Sequence, residues 1–132
     1  MSLATARRDI EKRLADNWGT TAIAYDNVDF SPPQGAAWIR LALLDGDAFR
    51  VTIGNPGTHR QTGIILLMIF VPLSEGTHVV RQYADTLSAL FRDVQFNGIT
   101  CREASPVNVG AVEGWYQYHV NIPYFYDSVF TT

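Results

Sequence analysis

The sequence predicts one α+β domain in which two helices pack against a mixed, mostly antiparallel β-sheet. Two segments carry apolar residues at helical spacing, several others alternate with the period of a strand, and no linker or internal repeat divides the chain. With 132 residues and 47% hydrophobic content, the chain can bury one core but is too short for two ordinary domains. We therefore expect a single domain over residues 1–132, with the order α-β-β-β-β-α-β-β.

Both helices are predicted from their apolar spacing. In the segment from Ala4 to Trp18, Ile10, Leu14 and Trp18 recur every four residues, while charged side chains fill the other faces. The segment from Glu75 to Val94 has the stronger pattern, because one stripe carries Val79, Val80, Tyr83, Ala84, Leu87, Leu90, Phe91 and Val94. Each stripe needs an apolar partner, so both helices should lie on the sheet.

The strands before the second helix are predicted to form hairpins. A short apolar strand at Thr21 to Tyr25 and a proline-containing loop at Asp26 to Gly35 come first. A strand from Ala37 to Asp45 is apolar on both faces, as a doubly covered strand is. The sequence Asp-Gly-Asp at 45–47 is typical of a tight turn, after which Ala48 to Ile53 should return as a strand.

A second hairpin is predicted to join that returning strand to the apolar run from Thr62 to Val71. The segment between them, Gly54 to Gln61, contains two glycines and is longer than the usual hairpin loop. Long ordered loops often carry function, so this tip is a candidate contact surface.

The remaining strands follow the second helix. Ile99 to Ala104 and Val107 to Val112 are predicted to be short strands or extended loops, because Pro106 and glycines interrupt them. The residues WYQYHVNIPYFY, from Trp115 onward, alternate as a half-exposed strand, which should end at Pro123.

The charge and the single cysteine narrow the functional classes. A formal net charge of −3 should repel phosphate backbones, which argues against sequence-independent nucleic-acid binding. Cys101 has no second cysteine for a disulfide or a cysteine-based zinc site, so a plain buried thiol is expected. No apolar run has the length of a membrane-spanning helix and no secretory signal is present, so we expect a cytoplasmic protein without a membrane partner.

The sequence contains no recognisable catalytic, cofactor-binding or metal-binding motif. His59, His78 and His119 lie far apart and never at the spacing of metal ligands, and no nucleophile elbow or phosphate-binding loop occurs. Acidic residues cluster in the first half of the chain, at Asp26, Asp29, Asp45 and Asp47. Aspartate favours turns, which is the simplest interpretation; a divalent-cation site and a negative surface patch remain as alternatives.

Aromatic residues concentrate near the end of the chain. Seven of the sixteen lie between Trp115 and Phe130, a stretch without Lys or Arg, so base stacking has no charged support there. Tyr116 and Tyr118 are expected in the core. Trp115 and the run from Tyr124 to Tyr126 are candidate interface anchors, because Trp and Tyr concentrate at protein interfaces.

Several segments together resemble the small tail terminator-like proteins of long-tailed bacteriophages and prophages. These are the first helix followed by RLADNWGTTAIAYDN, then DFSPPQGAAWIRLALLDGD, HRQTGIILLMIFVP, the helix ending in ADTLSALF, and the closing GWYQYHVNIPYFY. The resemblance covers nearly the whole chain, and its motifs are structural rather than catalytic.

The resemblance implies a structural virion protein rather than an enzyme. Such proteins form a ring, typically a hexamer, on the end of the tail tube, where they stop polymerisation and meet the head-side connector. The implied partners are further copies of the chain, the tail tube protein and the connector, with assembly in the host cytoplasm and a final place in the virion tail. DNA would pass through without specific binding.

A ring needs one patch that meets a different patch on the next copy. The predicted interface residues lie in the hairpin tip and the aromatic C-terminal strand: Asn55, Pro56, His59, Arg60, Trp115, Tyr124 and Tyr126. Asp45 and Asp47 are predicted to line the lumen, where like charge would repel DNA. Two alternatives stay open: a small monomeric ligand-binding or metal-dependent enzymatic domain that uses the aspartates or His119, and another head- or neck-completion protein.

Overall fold

The computed structural model describes residues 2–54 and 56–130. Within those residues, two helices cover one face of a single seven-stranded sheet. The strands are β1 (Ala22–Tyr25), β2 (Trp38–Arg50), β3 (Gly57–Pro72), β4 (Gln95–Phe96), β5 (Ile99–Cys101), β6 (Ser105–Val112) and β7 (Trp115–Phe130).

The first helix, α1 (Leu3–Asn17), begins at a capping box. The Ser2 side chain accepts a hydrogen bond from the Thr5 backbone N–H, and the Thr5 hydroxyl accepts one from the Ser2 N–H. Its buried apolar residues, Ala6, Ile10 and Leu14, face the sheet. The predicted amphipathic helix is therefore confirmed.

The second helix, α2 (His78–Phe91), lies beside α1 on the same face. Val80, Ala84, Leu87 and Phe91 are buried, as its apolar stripe predicts. The Arg13 guanidinium of α1 donates two hydrogen bonds to the Leu90 carbonyl, at 3.1 and 2.9 Å. This contact ties the two helices together.

The long strands form the centre of the sheet, in the order β1-β2-β3-β7-β5-β4. Strand β1 is parallel to β2, and the other pairs are antiparallel. Strand β6 also pairs with β7, on the edge that β5 uses further along the strand. The main core lies between the helices and this sheet, which confirms the α+β class. The succession of helix, strands, helix and strands is also as predicted. Among the described residues, however, three strands precede α2, because β2 takes the place of two predicted strands, and four follow it.

A smaller apolar cluster lies on the opposite face of the sheet. Trp38 stacks on Phe70 with ring centroids 3.9 Å apart, and Trp115 meets Trp38 edge-on at 5.9 Å. Phe30 from the loop before β2 packs against the same tryptophan at 5.1 Å. This loop therefore partly covers one end of the second face.

The turn predicted at Asp45-Gly46-Asp47 is wrong, because β2 runs through these residues as one strand. The register between β2 and β3 shifts between Asp45 and Ala48, which is a β-bulge. The Gln61 side-chain amide donates to the Gly46 carbonyl at 2.9 Å, and the Thr62 hydroxyl donates to the Asp47 carbonyl at 2.8 Å. Side chains from β3 thus satisfy the bulge, and the strand continues.

The predicted loop from Gly54 to Gln61 is shorter than expected. Strand β3 begins at Gly57, and the register places His59 opposite Arg50 and Arg60 opposite Phe49. The described residues of the tip are therefore 51–54 and 56, and a hydrogen bond from the Val51 N–H to the Thr58 carbonyl at 2.8 Å closes it.

Pro123 does not end the last strand, contrary to the sequence-based expectation. Its carbonyl accepts a hydrogen bond from the Arg102 N–H at 2.8 Å, so this edge of the residue faces the short gap between β5 and β6. A strand residue points its N–H and carbonyl to the same side. The missing N–H of proline therefore falls in this gap, and the pairing of β7 with β3 is preserved.

Candidate assembly surfaces

The β2–β3 hairpin carries an exposed distal arm, which comprises residues 44–63. Every described residue from Leu44 to Gly54 is exposed. Phe49 is 49% exposed, and Ile53 is fully exposed at the tip. Large apolar side chains that remain in water on a long hairpin are typical of a surface that another chain covers.

The second candidate surface is the open face, which is the sheet face opposite the helices. In the β2–β3–β7 register, Leu44, Ile64 and Pro123 lie side by side on this face. Leu44 is 50% exposed, Ile64 37%, and Val107 on β6 47%. The open face is thus continuous with the distal arm, and both carry exposed apolar side chains among polar ones.

Arg60, predicted as an interface residue, is paired within its own chain. Its guanidinium donates to both carboxylate oxygens of Asp127, at 2.9 and 3.1 Å, and lies 4.1 Å from the centre of the Phe125 ring. The hydrogen bond from Arg60 lowers the pKa of Asp127 below its ordinary value. Arg60 therefore fastens the distal arm to β7.

The other predicted interface residues do not form one cluster. Pro56 is exposed at the tip, and Asn55 lies outside the described residues. His59 is exposed on β3, opposite Ser128 of β7. Trp115 is half-buried at the other end of β7, in the smaller apolar cluster on the open face.

Tyr124 and Tyr126, also predicted as interface anchors, lie in the main core. Tyr124 is 3% exposed and Tyr126 4%. Burial is the main cause that raises the pKa of Tyr124 to about 12 and the pKa of Tyr126 above its ordinary value, and Asp45 adds to both shifts. Neither ring presents an exposed face of the kind predicted for an interface anchor.

A cavity of about 330 Å³ opens between the first half of α1, the turn after β1 and the sheet. We call it the acidic cavity, because Glu11, Asp26 and Asp45 line it together with one cation, Arg7. Its apolar lining consists mainly of Leu3, Leu41 and Leu43, and Tyr124 completes it. Asp47, the second predicted lumen residue, is exposed at the bulge and does not line this cavity.

A second cavity, of about 450 Å³, lies over the aromatic cluster of the open face. Its lining includes Trp38, Phe70 and Trp115, with Arg40 and Glu113 among its charged residues. The indole N–H of Trp38 is buried and has no hydrogen-bond acceptor among the described residues. Pro32 from the loop before β2 also lines the cavity.

Cys101 and His119 are two further titratable groups whose pKa is shifted by burial. Burial raises the pKa of the Cys101 thiol to about 12, so the reactive thiolate is scarce at neutral pH. Burial lowers the pKa of His119, whose Nε2 lies 3.3 Å from the Gln117 amide oxygen. Residues 2–54 and 56–130 contain no group of three or more His, Cys, Asp or Glu side chains arranged to hold a metal ion.

Sequence reasoning missed the acidic cavity as a unit. It identified Asp26 and Asp45 separately as turn residues, and it placed Glu11 on the solvated side of a helix. These residues meet only because β1 runs parallel to β2, which brings the turn after β1 beside the middle of β2. A four-residue strand gives no sequence signal for parallel or antiparallel pairing.

Comparison with known proteins assigns the fold and then the family. One solved structure, of a protein whose name states no function, is similar over 100% of this chain and 98% of its own, with a TM-score of 0.70 and 22% identity. That likeness concerns the fold alone. No curated protein matches the chain, and neither described helix has both the length and the hydropathy needed to span a membrane.

The family assignment comes from a family model. The model described as phage tail terminator protein matches residues 6–124, from the first turns of α1 into β7. This range includes α2, the distal arm, most of α1 and all residues that line the two cavities except Leu3 and Ala4. The chain belongs to the phage tail terminator family, so it is a structural component of a phage tail that contacts other tail components.

Proposed function

We propose that copies of this chain assemble into a hexameric ring on the end of a phage tail tube. The ring stops tube growth and presents its other side to the head-side connector. One observation carries the proposal: a single copy leaves the apolar residues of the distal arm and the open face in water. The family match supports the place in the tail and favours it over a head-completion role.

The contact that closes the ring joins the distal arm of one copy to the open face of the next. The arm offers Phe49, Val51 and Ile53, and the open face offers Leu66, Met68 and Val107. Because these two surfaces are different parts of the chain, the contact is head-to-tail. A head-to-tail contact whose rotation closes produces a ring.

Under this proposal the predicted interface residues fall into contact residues, one residue that positions the arm, and core residues. Pro56 belongs to the tip that reaches the next copy, and His59 is exposed on the same arm. Asn55 lies outside the described residues and stays a prediction. Arg60 acts indirectly, because its ion pair with Asp127 sets the position of the arm. Trp115 contributes at the far end of the open face. Tyr124 and Tyr126 support the fold and do not anchor the contact between the distal arm and the open face.

The lumen assignment narrows to Asp47. It is exposed at the bulge of the distal arm, where a carboxylate would face passing DNA with like charge. The formal net charge of −3 supports passage without binding.

The test uses the double variant Phe49→Ser/Ile53→Ser. Wild-type protein mixed with tail tubes should form rings with a central hole on tube ends in electron micrographs, and tube length should stop increasing. The double variant should fold with an unchanged melting temperature, because both side chains are exposed, yet form no rings. Val28→Ser is the control, since Val28 is about as exposed as Phe49 but lies outside the arm.

Two results would contradict the proposal. One is normal ring formation by the double variant, which would place the contact elsewhere. The other is continued growth of tubes in the presence of excess wild-type protein.

A further inference from the structure

The acidic cavity has an excess of unpaired negative charge. Three carboxylates line it against one guanidinium, which is a formal charge of −2. Arg7 pairs with Glu11 at 2.6 Å, whereas Asp26 and Asp45 have no ion-pair partner among residues 2–54 and 56–130. Two carboxylates on one small concave surface attract a cation and repel phosphate or carboxylate ligands.

Tyr124 supplies a second, independent feature of the cavity. Its side chain is 97% buried, and its hydroxyl makes no hydrogen bond to the described part of the chain. The hydroxyl oxygen is not itself fully buried, because it reaches the cavity that Tyr124 lines. It is available to accept a hydrogen bond from an N–H donor.

The position of that hydroxyl depends on Gly63. A Cβ at residue 63 would lie 2.6 Å from Tyr124 Cζ and 2.7 Å from its hydroxyl oxygen, so only glycine lets the ring cross β3. Asp45 is the neighbour of Gly63 on β2, on the side opposite Tyr124. The ring thus carries its hydroxyl towards Asp45, and both residues line the cavity.

The lining of the cavity selects the kind of cation. Leu3, Leu41 and Leu43 form apolar walls, and the carboxylates are set among them. A long side chain with an aliphatic stem and a charged head matches this arrangement. A guanidinium has five N–H donors in a planar fork, so it can pair with Asp26, Asp45 and the Tyr124 hydroxyl together. The volume, about 330 Å³, lies at the small end of the range for ligand sites.

We propose that the acidic cavity accepts an arginine side chain from a neighbouring protein chain in the assembled tail. This rests on the proposed function for the identity of the neighbour, but the chemistry of the cavity does not. Arginine binding in the acidic cavity would give Asp45 a role in joining chains instead of the predicted role in the lumen.

The test uses small probes on the full-length protein. N-acetyl-arginine methylamide should shift the backbone NMR signals of Asn27, Asp45 and Tyr124. The citrulline analogue, which has the same shape and no charge, should bind at least about tenfold more weakly. Asp26→Asn and Asp45→Asn should each weaken arginine-probe binding about tenfold, since each removes a charge-assisted hydrogen bond. Asp85→Asn, an exposed change on α2, is the matched control and should bind the probe as the wild type does.

The outcomes separate this proposal from the ring proposal. Equal binding of the two probes, or shifts confined to other parts of the protein, would overturn the acidic cavity as an arginine site. Unchanged ring and tail joining by Asp26→Asn/Asp45→Asn protein would overturn its role in assembly. Selective arginine binding by a wild-type chain that forms no ring would support the cavity and contradict the ring.

Discussion

The two halves of the β2–β3 hairpin differ in what surrounds them. Beneath the helices, Ile39 of β2 and Leu67 of β3 are fully buried. Beyond Asp45 the same strands continue as the distal arm, and the described residues up to Gly54 are all exposed. Backbone pairing is continuous through both halves, apart from one bulge. Burial under the helices therefore stabilises the fold, while the arm remains available for contact with other chains.

The sharpest test of this comparison is a matched pair of leucine truncations. Leu67→Ala, in the covered half, should lower the free energy of unfolding by about 2–5 kcal/mol, because it leaves a cavity in the core. Leu44→Ala, in the arm, should change it by less than about 0.5 kcal/mol. Urea unfolding monitored by circular dichroism measures both. Similar losses for the two variants would show that the arm is also part of the stabilising core.

Gly63 lies at the boundary between the two halves of the hairpin, and its replacement should give the next largest loss of stability. Gly63→Ala places a methyl group against the buried Tyr124 ring and should cost about 1–3 kcal/mol. Gly19→Ala is the control, because nothing lies within 4 Å of the added carbon and the backbone there is not left-handed. Thermal unfolding of both variants gives the comparison. A neutral Gly63→Ala would mean that the Tyr124 ring moves away freely.

Two arginines hold elements together: Arg13 joins the two helices above the covered half, and Arg60 joins the arm to β7. Their removal should reduce stability to different extents. Arg13→Met keeps the aliphatic stem but removes two hydrogen bonds to the Leu90 carbonyl between the helices, and should cost about 1–2 kcal/mol. Arg60→Met removes the exposed ion pair with Asp127 and should cost less, because solvent screens that pair. Denaturant midpoints of the two variants provide the test, and a larger loss for Arg60→Met would reverse the assignment.

The smallest predicted effect is a pH dependence of the Arg60–Asp127 pair. The pKa of Asp127 is lowered in the folded chain, first by the hydrogen bond from Arg60. Its contribution to stability is therefore complete above the ordinary value of 3.8 and disappears as the pH falls through the lowered pKa. Asp127→Asn should remove this part of the acid destabilisation. Identical pH profiles for variant and wild type would show that the pair contributes nothing.

The sequence predicted the parts of the fold that depend on local patterns. The stripes of α1 and α2 and the alternation of β7 were sufficient for the class and for the succession of helix, strands, helix and strands. The bulge at Gly46 could not be predicted, because its carbonyls are satisfied by Gln61 and Thr62 from another strand. The continuation of β7 through Pro123 likewise depends on a gap between two neighbouring strands.

The candidate site was less predictable than the fold. Aromatic composition suggested Tyr124 and Tyr126 as contact residues, yet the alternation of β7 turns both towards the helices, like Val120 and Ile122. The exposed Phe49 and Ile53 were assigned to an ordinary strand, since alternation alone does not show where the covering helices stop. Exposure at a sheet depends on what packs above it, which is a property of the whole fold.

The position of β7 has a consequence for synthesis in the cell. It is the last of the described strands along the chain, yet it is central, since it pairs with β3 on one side and with β5 and β6 on the other. A nascent chain that has not yet released residues 115–130 from the ribosome cannot join the two parts of the sheet. The sheet can therefore form only late in synthesis, after both helices and the other described strands have emerged.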